Sequence, residues 1–263
     1  MSKQATSHHP GTQTIARAIA ILKCFTDAQP QLSLADIVQA TKLNKATAYR
    51  MLAALEKEEL IARHGDGEAY RLGPEAIALG GRALRATTLH SASHHELATL
   101  AQLTGETATV ETLIGDAMVI LNEVISPRLL GAMPSIGTRW AVHATSTGKA
   151  MLAHVPAADL ERMLERPLAR FTPHTLTTAA ALRLQLAQVR RQGYATVCDE
   201  LEIGYAAIAA PIFDHQGRVV AAICAGGPTV RLSPARLAEL AIPIQQAATR
   251  SSARLGFREA LEC

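Results

Sequence analysis

Residues 32–61 read LSLADIVQATKLNKATAYRMLAALEKEELI, and the way this stretch folds decides the reading of the whole N-terminal part. Ser33 is suited to cap a short helix, with Asp36 three residues on in capping-box spacing. Leu34, Ile37 and Val38 supply its buried face, and it ends near Thr41. Asn44 is the next N-cap, and the helix it opens turns Ala48, Met51, Leu52, Leu55 and Leu60 inward. Left on the other face, around the start of that second helix, are Lys42, Asn44, Lys45, Thr47, Tyr49 and Arg50. In a helix-turn-helix the second helix enters the major groove with its N-terminal residues, which must be polar and dispensable to the core. Lys42, Lys45 and Arg50 can neutralise phosphates, Asn44 and Thr47 can bond base edges or phosphate oxygens, and Tyr49 can offer its hydroxyl to a phosphate.

Two short helices with polar residues are common; the flanking pieces make the pattern specific. Upstream, Ile15, Ile19, Leu22 and Phe25 recur at helical spacing as one apolar face, with Pro30 bounding the helix. Residues 1–13 are polar and read as a frayed tail with no secretory signal. Downstream, the β-prone pieces Leu60–His64 and Ala69–Leu72 flank Gly65-Asp66-Gly67, a hairpin signal. Three helices and a hairpin outline a winged helix-turn-helix over residues 14–73. Arg63, His64 and Arg71 at the base of the wing can reach a minor groove or backbone.

Composition sets the outer limits. The 263 residues are 48% hydrophobic but only 3% aromatic, which allows two modest domains and favours helices with small-residue packing. Residues 1–80 carry nine Lys and Arg against eight Asp and Glu, so DNA contact rests on placement of charge rather than on a basic block. Cys24, Cys198, Cys224 and Cys263 lie far apart with no CxxC, which points to a reduced, cytoplasmic setting without disulfides or a zinc ribbon. No stretch approaches the roughly 20 apolar residues of a membrane span.

Pro74 opens a linker helix over residues 74–90, weakened at Gly80-Gly81. From Glu106, within a second domain over residues 91–263, strands and helices alternate. TATVETLIG and DAMVILNEVIS read as two strands around Gly115-Asp116, and TSTGKAMLAH starts a helix near Thr145. ADLERMLE and AAALRLQLAQVRRQG are amphipathic helices, the second ending at Gly193. YAAIAAPIFDHQGRVVAAICAGG gives two strands around Asp214–Gly217, and Ser233-Pro234 opens a last helix reaching about Arg254. The expected class is α+β: the winged helix, the linker helix, then a domain built on one antiparallel sheet.

In that domain Ser146, Thr147 and Gly148 are placed to hold a carboxylate at a helix start. Asp199 and Glu200 are placed to bond a ligand hydroxyl or amide. Cys198 and Cys224 lack a neighbour that lowers their pKa and read as inert. His94-His95, His143, His154 and His174 lack ligand spacing, and neither GxGxxG, Walker A nor Gly-x-Ser-x-Gly is present, so no metal, cofactor or hydrolase site is expected. Two rival readings stay open: a GAF-like thiol-dependent enzyme using Cys198 or Cys224, and a winged helix that binds a protein partner.

Taken together, IARAIAILKCF, the opening stretch, YRLGPEAIALG, IGTRWAVHATSTGKAMLA, FTPHTLT and VRRQGYATVCDELEIGYAAIAAPIFDHQGRVVAAICAGGPTVR resemble the IclR family of bacterial transcriptional regulators over about residues 14–256. The resemblance implies a GAF-like effector-binding domain behind the winged helix, a homodimer that can pair further into a dimer of dimers, and control of a catabolic operon by a small organic or aromatic acid. It also implies an effector pocket at Leu129, Met133, Ser146, Thr147, Gly148, Asp199, Glu200, Tyr205, Ala207, Cys224 and Gly226. Members often carry PLHA where this chain has Ala141-Val142-His143-Ala144, and many carry Ser where it has Cys224 and Gly226. Val197 stands at a position that is acidic in some relatives. These departures imply a less polar pocket and a larger or partly apolar acid.

Overall fold

The computed structural model describes residues 10–26, 29–64, 69–86, 88–128 and 135–258. The chain divides into two compact units, one up to Ala86 and one from Thr87 on.

The first unit runs α1 (Pro10–Leu22), β1 (Leu32–Ser33), α2 (Leu34–Thr41), α3 (Lys45–Lys57), β2 (Ile61–His64), β3 (Ala69–Leu72) and α4 (Pro74–Ala86). Its caps are those the residue types dictate. Ser33 and Asp36 exchange backbone bonds in a capping box at the start of α2. The Asn44 side chain accepts the Thr47 N–H at 2.8 Å. Lys42 closes α2 in the left-handed region, with φ of 56°. The strands order as β1-β3-β2, all antiparallel, with β1 a short addition the residue pattern did not signal. Ile21, Phe25, Leu32, Ile37, Leu52, Leu55, Ile61 and Tyr70 form the core. Gly73 has a packing reason: a Cβ there would stand 2.2 Å from the Glu59 carbonyl oxygen, where the wing returns past the end of α3.

Four expectations differ from the structure here. Helix α1 starts at Pro10, so residues 10–13 are helical rather than tail; a proline at a first helical position sacrifices no intrahelical bond. Ala18, Ile21 and Leu22 of α1, with Phe25 just after it, face the core, while Ile15 and Ile19 are 64% and 45% exposed. The helix carries two neighbouring apolar stripes, and a core this small covers one. Gly80-Gly81 lies inside α4, which runs unbroken from Pro74 to Ala86. Helix α4, expected as the linker, clusters with the first unit. The expected hairpin turn at residues 65–68 and the tail at residues 1–9 lie outside the described residues.

The second unit runs α5 (Thr88–Thr104), β4 (Thr107–Ile114), β5 (Ala117–Val124), β6 (Arg139–Ala141), a 3-10 turn (Val142–Ala144), α6 (Ser146–Leu152), α7 (Ala157–Leu164), α8 (Ala179–Gln192), β7 (Ala195–Cys198), β8 (Tyr205–Phe213), β9 (Val219–Pro228), α9 (Pro234–Glu239) and α10 (Ala241–Arg254). Six strands form one sheet in the order β6-β5-β4-β9-β8-β7, with every neighbouring pair antiparallel. Period-two alternation sorts the strands between two cores. Ala206, Ile208, Ala210, Ile212, Ala221, Ile223 and Ala225 face α5, α9 and α10. Ala207, Ala209, Ala222 and Cys224 face α6 and α8. Both faces are covered, which explains why the β8 and β9 sequences are apolar throughout rather than alternating. The expected single last helix is two, broken at Leu240, because Pro243 has no N–H to donate to the Glu239 carbonyl.

Buried charges tie the layers together. Glu96 on α5, 1% exposed, meets Arg250 and Arg254 on α10. Glu106 accepts from Arg231 Nε and Nη2, one on each carboxylate oxygen. Lys149 on α6 is fully buried and reaches both Glu200 carboxylate oxygens at 2.5 Å, fastening the helix to the loop after β7. Removing one partner of such a pair strands the other in a medium of low polarity. Lys149→Met is therefore expected to lower unfolding free energy by about 3–5 kcal/mol in urea melts. Lys149→Met with Glu200→Leu should recover much of that loss. A single variant within about 1 kcal/mol of wild type would show that the pair does not hold the layers.

Candidate functional site

The first site is the outer face of α3. Ala48, Leu52 and Leu55 are buried, so the helix presents its opposite face to solvent. Lys45, Tyr49 and Arg50 are exposed there, Tyr49 to 54%, with Lys42 and Asn44 exposed just before them. Thr47 is half-buried and gives its N–H to the cap, which also occupies the Asn44 carbonyl oxygen. Asn44 keeps its amide NH2 for another partner. On the wing, Arg71 is exposed. Arg63 is engaged within the unit: its Nε bonds Glu56 at 3.1 Å and its guanidinium lies 5.1 Å from the Tyr70 ring. Glu56 and Tyr70 thus share the charge that the sequence assigned to DNA.

The second site is a cavity of about 260 Å³ in the second unit, bounded by β4, β8, β9 and the start of α6. Of the residues expected to form a pocket, Ser146, Thr147, Tyr205, Ala207, Cys224 and Gly226 line it together. Leu129 and Met133 lie outside the described residues. Gly148, Asp199 and Glu200 are not in the described lining. The Gly148 N–H is spent on the Thr145 hydroxyl at 3.1 Å. A Cβ on Gly148 would fall 1.9 Å from the Val142 carbonyl oxygen, so this glycine serves packing. Asp199 has φ of 60° and its Oδ1 accepts the Gly204 N–H at 2.6 Å, pinning the loop 199–204. Glu200 is spent on Lys149. Both acids expected to meet a ligand are consumed by the fold.

The residue pattern gave no warning of Glu111. It sits on β4, 6% exposed, and its carboxyl lines the cavity with Thr107, Thr109, Trp140 and Glu202. The Thr147 hydroxyl donates to Glu111 Oε2 at 2.7 Å and the Thr109 hydroxyl to Oε1 at 2.9 Å. Polar residues at every second position of a strand normally mark a solvent face. Here Thr107, Thr109 and Glu111 point into the layer under α6, and the run of apolar β8 and β9 residues beside them was the available signal that both faces are covered. Tyr205 stands against Gly226, whose Cβ, if present, would be 2.0 Å from the phenol oxygen. The phenol takes the room that a serine at position 226 would need.

Enclosure sets the protonation states. Burial pushes the Glu111 carboxyl above its ordinary range, against the two threonine bonds that favour the charged form. Burial, then the neighbouring Glu111, push the Cys224 thiol up to about 12. Cys198 is also raised, by desolvation first and then Asp199. Both shifts run away from the thiolate that thiol catalysis requires.

A carboxyl whose folded pKa is raised contributes stability that is full below its unfolded value near 4.5 and is lost as pH rises through the folded value. The melting temperature of the ligand-free wild type should therefore fall relative to Glu111→Gln as pH is raised from about 4.5 toward neutrality. A difference between the two proteins that stays constant over that range would show that Glu111 ionises freely.

With this geometry in place, similarity to known proteins becomes informative. Residues 81–253 match the family model described as bacterial transcriptional regulator IclR C-terminal, and residues 14–65 match the IclR helix-turn-helix domain. The HTH-type transcriptional regulator BhcR of Paracoccus denitrificans is 37% identical over 243 residues, covering 92% of this chain and 87% of that protein. XynR of Escherichia coli, likewise named an HTH-type transcriptional regulator, is 32% identical over 249 residues, covering 94% and 99%. A solved IclR homologue from Microbacterium hydrocarbonoxydans, complexed with 4-hydroxybenzoate, superposes with a TM-score of 0.81 at 27% identity, covering 92% of this chain and 98% of that one. The winged helix, the covered six-stranded sheet and these matches together make the chain a member of the IclR family of transcriptional regulators and not an enzyme.

Proposed function

We propose that the outer face of α3 reads an operator controlling a catabolic operon, and that occupation of the cavity beside Glu111 changes operator affinity. Ligand-responsive transcriptional regulation comes with the family; the operon, the effector and the residues are our reading. One observation carries the DNA side: Lys45, Tyr49 and Arg50 stand exposed on the same short helix whose Ala48 and Leu52 are wholly buried. A helix held that firmly from behind presents its polar residues in fixed positions. Lys42, Asn44, Lys45, Thr47, Tyr49 and Arg50 then form the groove-facing set, with Arg71 as a wing contact and Arg63 acting through its contacts to Glu56 and Tyr70.

A homodimer would offer two such helices to half-sites about 34 Å apart, and a dimer of dimers would lengthen the operator. The exposed Ile15 and Ile19 of α1 supply apolar surface for such pairing. A protein reading bacterial DNA works in the cytoplasm. Effector binding typically shifts operator affinity by about 1–3 kcal/mol.

For the effector, the relative bound to 4-hydroxybenzoate supports a small ring-bearing molecule. A cavity of about 260 Å³ lined by Trp140 and Tyr205 fits that size. That relative's ligand is a ring-bearing acid; the described lining here holds the Ser146 and Thr147 expected to meet an acid, together with Glu111 and Glu202 and no cation.

Arg50→Ala is expected to weaken operator binding uniformly across sequence variants. It should also reduce the slope of log affinity against log salt by about 1 unit. Fluorescence anisotropy at several salt concentrations reads both quantities, and circular dichroism checks the fold. Unchanged affinity and slope would remove Arg50 and the α3 face from the DNA contact.

A further inference from the structure

We propose that the cavity selects a small ligand carrying a protonated amine on a ring-bearing or otherwise apolar body, and that Glu111 is the residue that specifies it. The proposal rests on the reading of this cavity as the effector site. Its first support is charge. The described lining holds Glu111 and Glu202 and no lysine, arginine or histidine. Lys149, on the same helix as Ser146 and Thr147, has both Glu200 oxygens as partners and is fully buried.

The second support is the geometry of Glu111 itself. Its strand is hydrogen-bonded on both sides, with Glu111 opposite Ile120 of β5 and Ala222 of β9, so the carboxyl stands on a rigid element. Each oxygen accepts one threonine hydroxyl. A carboxylate has about four lone-pair sites, so about two are left for a third donor. Among the described residues, the buried acids Glu96, Glu106, Glu200 and Asp214 each have a cation, and Glu111 has hydroxyls alone. The other titratable groups at the cavity are Cys224 on β9, Tyr205 on β8 and Glu202 in the loop after β7; α6 offers the Ser146 and Thr147 hydroxyls. Cys224 and Tyr205 are held neutral by enclosure.

An ammonium entering this cavity gains a charge-assisted hydrogen bond and removes the penalty of an uncompensated buried carboxylate. A ligand carboxylate meets like charge and no cationic partner. Trp140 and Tyr205 are left to contact the apolar body, and an aromatic face also favours a nearby cation.

Three probes of nearly equal shape, benzylamine, benzyl alcohol and benzoate, test this on the full-length protein near neutral pH by thermal shift and calorimetry. Benzylamine should raise the melting temperature and benzoate should not. Glu111→Gln should weaken benzylamine by about tenfold or more while leaving benzyl alcohol within about threefold, which also shows that the variant folds and keeps its cavity. Benzoate binding without benzylamine binding overturns the amine and leaves the cavity as effector site. Benzoate affinity that rises as pH falls, from a proton shared with Glu111, overturns it likewise. Equal benzylamine affinity in wild type and Glu111→Gln removes Glu111 as the specifying residue. No response to any probe overturns the proposal and the cavity reading together, while the Arg50 experiment on operator binding stands apart from both.

Discussion

A sheet covered by helices on both faces leaves the polar groups of its central strands no route to bulk water. Each such group must find a partner inside, because an unpaired buried charge costs more than most single contacts return. The second unit meets this demand with cross-layer pairs: Glu96 with two arginines of α10, Glu106 with Arg231, and Glu200 with Lys149. Glu111 departs from the rule. Its hydroxyl partners, Thr109 and Thr147, stand at the edge of a cavity rather than in a filled layer. Where pairing stays incomplete, the fold leaves space, and that space has a charge preference.

Small residues make the same region adjustable. Ala207, Ala209 and Ala222 on the cavity side of β8 and β9 let α6 approach closely, and Gly148 at the start of α6 sits against the Val142 carbonyl. Gly226 lets the Tyr205 phenol cross space that a side chain would fill. Cys224, Gly226 and the Tyr205 ring together give this side of the lining a mixed rather than polar character. The thiol stays protonated, since burial holds it near 12, and it acts as a small apolar surface.

In the first unit one helix has two duties. The inner residues of α3 complete a core of eight buried side chains, and the outer ones are left to solvent. The caps at Ser33 and Asn44 hold the ends of α2 and α3 in place, and the left-handed Lys42 turns the chain between them. Contacts of Arg63 with Glu56 and Tyr70 brace the wing against the same helix. The proposed DNA contact rests on the position of these residues rather than on net charge.

Most elements were legible from residues alone because their causes are local. Caps at Ser33, Asn44 and Ser233, the helix start near Thr145, the left-handed Gly193 and the turn at Gly115-Asp116 between β4 and β5 each act within a few residues. Short β1, β6 and β7 were not legible, since they exist through their partners rather than their own pattern. The site divided in the same way. The outer face of α3 follows from helical periodicity, and the hydroxyl cluster at Ser146 and Thr147 from a helix start. The fates of the acids did not follow: Thr147 meets Glu111 across 36 residues, Lys149 meets Glu200 across 51, and Arg231 meets Glu106 across 125. Which carboxylate is spent on structure and which is left facing a ligand is settled by contacts between distant segments. Burial and pairing belong to the folded layers, and local spacing carries no record of them.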